Sequence, residues 1–339
     1  MGKKDYPLLQ HPISASSRAS TASTSSLNSR VRSLSRVASE ELVVPPSDNV
    51  NSIYYGVDAF SPTLVDFYTV DQKRILWSSR AHRKMMTTLY RAWHGKCWKL
   101  YSLSFWGGGF AILAHTLFVI GFMGEAVAHG DEQIATHGFV DIPLLIGALC
   151  YLTWHVFNYF EVLNCCHNLE LWLDEIDFWT EIMGMLGASL LVVSRLYILI
   201  RSDGTNFGVI DVGRSEFGLI MLYWLPFFAG AFFILVSAYL AHVEVVHQWF
   251  SLRLTTLETW VTGLSLLSAV GFFLASTLQF MDPFSVLFSF EDCMVPFGLG
   301  CFLGLASSFL SMAELEQIHK RHKHPEYGLL KNSAGYGTW

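Results

Sequence analysis

Residues 143–163 read PLLIGALCYLTWHVFNYFEVL, with Glu161 as the one carboxylate in 21 positions. A hydrocarbon core of roughly 30 Å needs about 20 apolar residues at 1.5 Å rise each, so this stretch predicts a membrane-spanning helix. Five further runs carry the same signature: Phe105 to Gly124, Trp179 to Ile200, Leu219 to Val243, Trp260 to Met281 and Met294 to Ala313. The whole chain agrees, since 52% of its 339 residues are hydrophobic and only 15% are charged, against about 25% charged in soluble domains. A net charge of −6 removes nucleic acid as a partner. The lipid bilayer is the expected partner instead, and the expected fold class is all-α, a polytopic bundle of six transmembrane helices.

The quoted stretch also contains a spacing that recurs. Pro143 is followed by Gly147 and Glu161; Pro226 by Gly230 and Glu244; Pro296 by Gly300 and Glu314. Three residues beyond each glutamate stands a polar side chain, Asn164, His247 or Gln317, and the preceding span opens with Trp106, Trp179 or Trp260. The unit is read as a helical hairpin repeated three times. Proline suits a first helical turn, glycine admits a close neighbouring helix, and eighteen residues carry the chain about 27 Å to the opposite interface. The boundaries that follow are 99–164, 172–247 and 253–318 for the hairpins, preceded by a disordered Ser/Arg-rich tail at 1–60 and an amphipathic interfacial helical segment at 61–98, and followed by a tail at 319–339.

The tail contains eleven serines and two threonines between Ser14 and Ser39, too little apolar surface to order itself. Arginines three residues before Ser33, Ser35 and Ser39 make these candidate phosphosites. Ser61 and Pro62 together predict a helix start. Lys73 to Lys99 then accumulate bases among Trp77, Trp93 and Trp98 without an acid, so anionic lipid contact is expected of segment 73–99. The connections Glu125 to Asp141 and Asp282 to Asp292 lack Lys and Arg, whereas both flanks of the bundle are basic. The bias predicts cytosolic N and C termini. Short tyrosine and di-leucine sequences in both tails suggest a plasma membrane or an endolysosomal or vacuolar membrane.

Glu161, Glu244 and Glu314 fall at helix C-termini, where the helix dipole disfavours a carboxylate by about 0.3–1 kcal/mol. A compensating partner is expected, with Lys99, Arg253 and Lys320, a cation or a shared proton as candidates. The same residues, with Asn164, His247 and Gln317, therefore form either an ion site or a set of pairings that fix the hairpins. His115, His155, His242 and Arg195 lie in or near spans, where ionisable groups are functional candidates by default; Arg195 is expected to snorkel outward. Glu244 with His247 has the Glu-x-x-His form of di-iron bundles, but Asn164 and Gln317 break the pattern, so no metal is expected.

The hairpin unit resembles the YrhK-like transmembrane domain family, in which a Trp-led helix precedes one that runs from a Gly-rich stretch to an acidic residue, here Leu145-Ile146-Gly147-Ala148 through Tyr159-Phe160-Glu161-Val162-Leu163-Asn164. The resemblance covers about residues 98 to 318, taken three times, and implies a fold but no activity or cofactor. In plan the repeat is also similar to the mitochondrial carriers, but their prolines end odd helices and these begin even ones. No phosphate loop, zinc-protease helix, nucleophile elbow or paired-cysteine site occurs in the sequence, so neither an enzyme nor a cofactor is expected. Two classes stand: a small-solute or ion transporter or channel with a glutamate cluster, and a non-transporting membrane scaffold or assembly protein with a phosphoregulated tail.

Overall fold

The computed structural model describes residues 53–57, 60, 63–68, 74–86, 102–128, 137–165, 175–202, 216–249, 251, 254–281 and 290–323. Strands β1 (Ile53–Tyr55), β2 (Leu64–Tyr68) and β3 (Arg74–Ser78) form an antiparallel sheet in sequence order, Ile53 pairing with Asp66 and Leu64 with Ser78. Helix α1 (Ser79–Met86) follows without a break. Six long helices complete the chain: α2 (Leu103–Ala128), α3 (Ile142–Cys165), α4 (Ile176–Ser202), α5 (Leu225–Val246), α6 (Leu257–Met281) and α7 (Phe290–Lys323).

The sheet corrects the expectation of helix over 61–98. Leu64-Val65-Asp66-Phe67-Tyr68 is rich in β-branched and aromatic residues, which fit a pleated surface better than a helix. Only the eight residues of α1 are helical among the described part of that segment. Ser78 starts this helix, its Oγ accepting at 3.5 Å from the Ala81 N–H.

Each of the six long helices contains a span long and apolar enough to cross a membrane. This is a multi-pass membrane protein. Its apolar side chains are exposed on every helix, for example Leu113, Ile146, Leu186, Phe232, Leu274 and Phe309. A belt of that extent is stable only against lipid. Local sequence sets the helix starts: Ser102 Oγ accepts from Phe105 N–H at 3.3 Å, and Thr256 with Thr259 forms a reciprocal capping box at 3.0 and 3.3 Å. At the other end of α5, His247 takes the left-handed conformation (φ 58) and donates its N–H to the Val243 carbonyl at 2.8 Å.

Pro143 and Pro226 stand in the first α-helical turn of α3 and α5, whereas Pro296 lies inside α7, and helical backbone runs upstream of each. π-helical turns at His137–Asp141 and Ile220–Trp224 lead into Pro143 and Pro226, and α7 begins six residues before Pro296. A wider turn relieves the clash between a proline ring and the carbonyl four residues back.

Consecutive helices pack as the pairs α2–α3, α4–α5 and α6–α7; α3 also meets α4, α5 meets α6, and α7 returns to α2, so the six close into a ring. Gly147, Gly230 and Gly300 each sit at a close approach of their pair. A Cβ on Gly147 would lie 3.2 Å from the Ala114 carbonyl oxygen, one on Gly230 would lie 2.9 Å from that of Gly187, and one on Gly300 would lie 3.0 Å from that of Ser268. Ala114, Gly187 and Ser268 each stand eight residues after the tryptophan of their helix. Cys150, Cys293 and Cys301 are buried and in no disulfide.

Candidate functional site

Helix α1 lies against one end of the ring and turns three bases inward. Arg80 holds Glu314 through two bonds, Nε to Oε1 at 3.0 Å and Nη2 to Oε2 at 3.2 Å. Lys84 Nζ approaches the same Oε2 at 2.9 Å, an ion pair whose angle falls short of a hydrogen bond. Arg83 bridges two further helices, with Nη1 at 2.9 Å from Asp177 Oδ2 and Nη2 at 3.1 Å from Glu244 Oε1. Glu161 stands in the field of Lys84 and Arg83 beside Ser104, yet its Oε1 is buried with no hydrogen-bond partner among the described residues. One short helix thus ties together α4, α5 and α7.

Burial in this layer is nearly complete; Glu314 is 2% exposed. Desolvation therefore opposes every charge. For the two guanidiniums it is outweighed, by Glu314 beside Arg80 and by Asp177 and Glu244 beside Arg83, and both are held above the ordinary arginine value. For Lys84 burial wins, with Arg80 as the second cause, and the ammonium is pushed below the usual lysine range despite Glu314. Burial likewise lowers His247 against the pull of Glu244.

Behind this layer the ring encloses a polar cavity of about 120 Å³ reached by all six helices. Helix α3 contributes Tyr151, Trp154, His155 and Asn158; α5 contributes Ile234, Ser237, Ala238 and Ala241; α7 contributes Gly304, Ser307, Ser308 and Ser311. From α4 come Thr180 and Glu181, and His155 Nδ1 lies 2.8 Å from Glu181 Oε2. His115 of α2 lines the same space, its Nδ1 at 2.9 Å from the Ala111 carbonyl oxygen and 3.0 Å from Ser308 Oγ. Tyr151 and Ile234 also border a second void of about 30 Å³, walled by Phe118, Leu144, Phe227, Phe272 and Phe297. Arg195 closes it. Its guanidinium sits 4.8 Å from the Phe227 ring centre and donates to Tyr223 Oη at 3.4 Å.

The structure brings Glu161, Glu244 and Glu314 to the same layer, but not with the expected companions. His247 turns to Thr63, Nδ1 to Oγ1 at 2.8 Å, while the same hydroxyl lies 3.2 Å from the Glu244 carbonyl oxygen. Gln317 is exposed, and the side chain of Asn164 lies outside the described residues. Of the expected counter-charges, Lys320 pairs with exposed Glu316 at 3.2 Å, and Lys99 and Arg253 lie outside the described residues. Ser33, Ser35 and Ser39 do so too. Arg80, Arg83 and Lys84 were expected at lipid headgroups and instead face carboxylates, because a buried carboxylate is costlier to leave unpaired than a headgroup contact is to forgo. Arg195 faces inward rather than snorkelling. His242 is satisfied on both nitrogens, by Thr262 Oγ1 at 3.1 Å and the Ser251 carbonyl oxygen at 3.0 Å, and is a packing residue.

Asp177 and the His155–Glu181 pair were not singled out from sequence as parts of one site. Their signal was present as ionisable residues in adjacent spans, 26 positions apart for the pair. No protein-family model, curated protein or solved structure matches this chain.

Proposed function

We propose that this protein is a transporter or channel for a small solute or ion, in which three hairpins of one repeated design surround a central path. One observation carries the reading. Besides Glu161 and Leu315, the cavity-lining residues of α3, α5 and α7 stand at the same four positions, 8, 11, 12 and 15 residues after Pro143, Pro226 and Pro296. These offsets describe one face of a helix, presented three times to one axis. Repeat-built transporters place their sites at such repeat interfaces. The close approach at Gly147, Gly230 and Gly300 supports the same repetition. In this reading α1 and its carboxylates close the cytosolic mouth, both termini are cytosolic as the Lys/Arg bias favours, and the membrane is the plasma membrane or an endolysosomal or vacuolar one. The resemblance to YrhK-like domains belongs to the same proposal.

A second reading, a non-transporting scaffold, is favoured by the ion-paired state of Glu244 and Glu314. Reconstitution in liposomes separates the two. A transporter gives flux or conductance of protons, K⁺ or Cl⁻ above that of empty vesicles, altered by Glu→Gln at 161, 244 or 314. Wild-type protein that moves none of them favours the scaffold, and unchanged flux in all three variants removes the glutamates from the path.

A further inference from the structure

We infer that His155 and Glu181 form a proton-binding site in the central cavity, and that the carried species is the proton. The inference rests on the transporter reading and names its substrate. His155 is 3% and Glu181 8% exposed, and the 2.8 Å contact between them joins α3 to α4. Tyr151 and Trp154 pack on the imidazole at ring-centre distances of 5.0 and 4.6 Å, and Gly184 leaves space that a Cβ would take from the ring. The orientation is fixed. Nδ1 donates to the carboxylate, which leaves the lone pair of Nε2, and Nε2 is buried without a hydrogen-bond partner among the described residues. An unsatisfied nitrogen on a cavity wall is a vacancy for water or for a proton.

A cavity of about 120 Å³ has room for several waters, enough for a hydrogen-bonded chain that reaches His155. Tyr151 and Ile234 also border the second void of about 30 Å³, whose walls are apolar. The ionisable groups that share this cavity with His155 are Glu181 from α4, His115 from α2, Tyr151 and Glu161 from its own helix, and Arg80, Arg83 and Lys84 from α1; the cavity faces of α5, α6 and α7 bring none. In one transfer, hydronium gives a proton to Nε2, an N–H bond forms as an O–H bond breaks, and water remains. Glu181 stays ionised beside the imidazolium. The reverse step releases the proton to the other side.

The full chain is tested in liposomes that contain a pH-sensitive dye, with a K⁺ diffusion potential as driving force, and in parallel for K⁺ and Cl⁻ movement. Proton flux is expected in the wild type, slowed on the order of a hundredfold in His155→Gln. Glu181→Gln is a positioning variant; it should slow flux and move the half-maximal pH toward acid, because an imidazolium without its carboxylate forms less readily. Lipid-facing Leu274→Ala serves as the control. Wild-type flux in His155→Gln overturns the proposal, as does an unchanged pH midpoint in Glu181→Gln, which covers the case where His155→Gln does not fold. Movement of K⁺ or Cl⁻ without protons overturns it while leaving the transporter reading intact; movement of none of the three removes both.

Discussion

Arg80 and Glu314 are joined by two parallel bonds, 3.0 and 3.2 Å, across 234 residues of sequence. Glu314 serves Lys84 as well, so the two ends of this pair are not equivalent. Removing Glu314 strands two buried cations, whereas removing Arg80 leaves Glu314 with Lys84. Breaking a buried pair from one side costs about 3–5 kcal/mol. Glu314→Ala should therefore lower the thermal midpoint in detergent more than Arg80→Ala does; the reverse order would contradict the shared pairing.

The three glutamates of the repeated spacing should respond differently to neutralisation. Glu161 has no ion pair among the described residues, while Glu244 and Glu314 are locked to Arg83 and Arg80. Glu161→Gln is expected to change stability less than Glu244→Gln and Glu314→Gln, each of which breaks a buried ion pair from one side at a cost of about 3–5 kcal/mol. Thermal melts of the three purified variants measure the contrast.

Gly187 and Gly230 face each other so closely that a Cβ on either would lie 2.8 or 2.9 Å from the other's carbonyl oxygen. Backbone cannot yield as a side chain can. Gly230→Ala should cost about 1–3 kcal/mol, and Gly109→Ala, where a Cβ meets nothing within 4 Å, should be neutral or stabilising. Equal melting of the two variants would contradict the close approach of α4 and α5.

His247 combines a left-handed backbone with a lowered pKa, caused by burial and opposed by Glu244. The folded state then binds fewer protons than the unfolded state between its lowered value and about 6.5, so stability should rise with pH through that window and level off above it. His247→Asn keeps a residue tolerant of the left-handed cap and removes the titration. Its melting temperature should lose this component of the pH slope.

The spans were legible because lipid imposes a coarse requirement: a run of about 20 apolar residues has few alternative explanations. The glutamates were legible because a carboxylate at a helix C-terminus is conspicuous there. Their partners were not. Arg80, Arg83 and Lys84 sit among tryptophans in a segment whose composition describes a headgroup binder, and nothing local distinguishes a base that meets lipid from one that meets Glu314 far along the chain. The hairpin β2–β3 was missed for a related reason, since the capping signal at Ser61-Pro62 outweighed the aromatic and β-branched content of 64–68. Glu181 was passed over because it stands at the start of a span, where an acid favours the helix dipole and needs no other explanation.

The distance in sequence between α1 and α7 also governs how the molecule is made. Ribosomes add roughly 5–20 residues per second, so Arg80 leaves the exit tunnel on the order of 10–50 s before Glu314 is synthesised. During that interval the bases of α1 have only part of their acceptors, and a nascent chain that stops short of α7 never acquires the rest. Docking of α1 is thus complete only once the last helix is in place, late in the making of the chain.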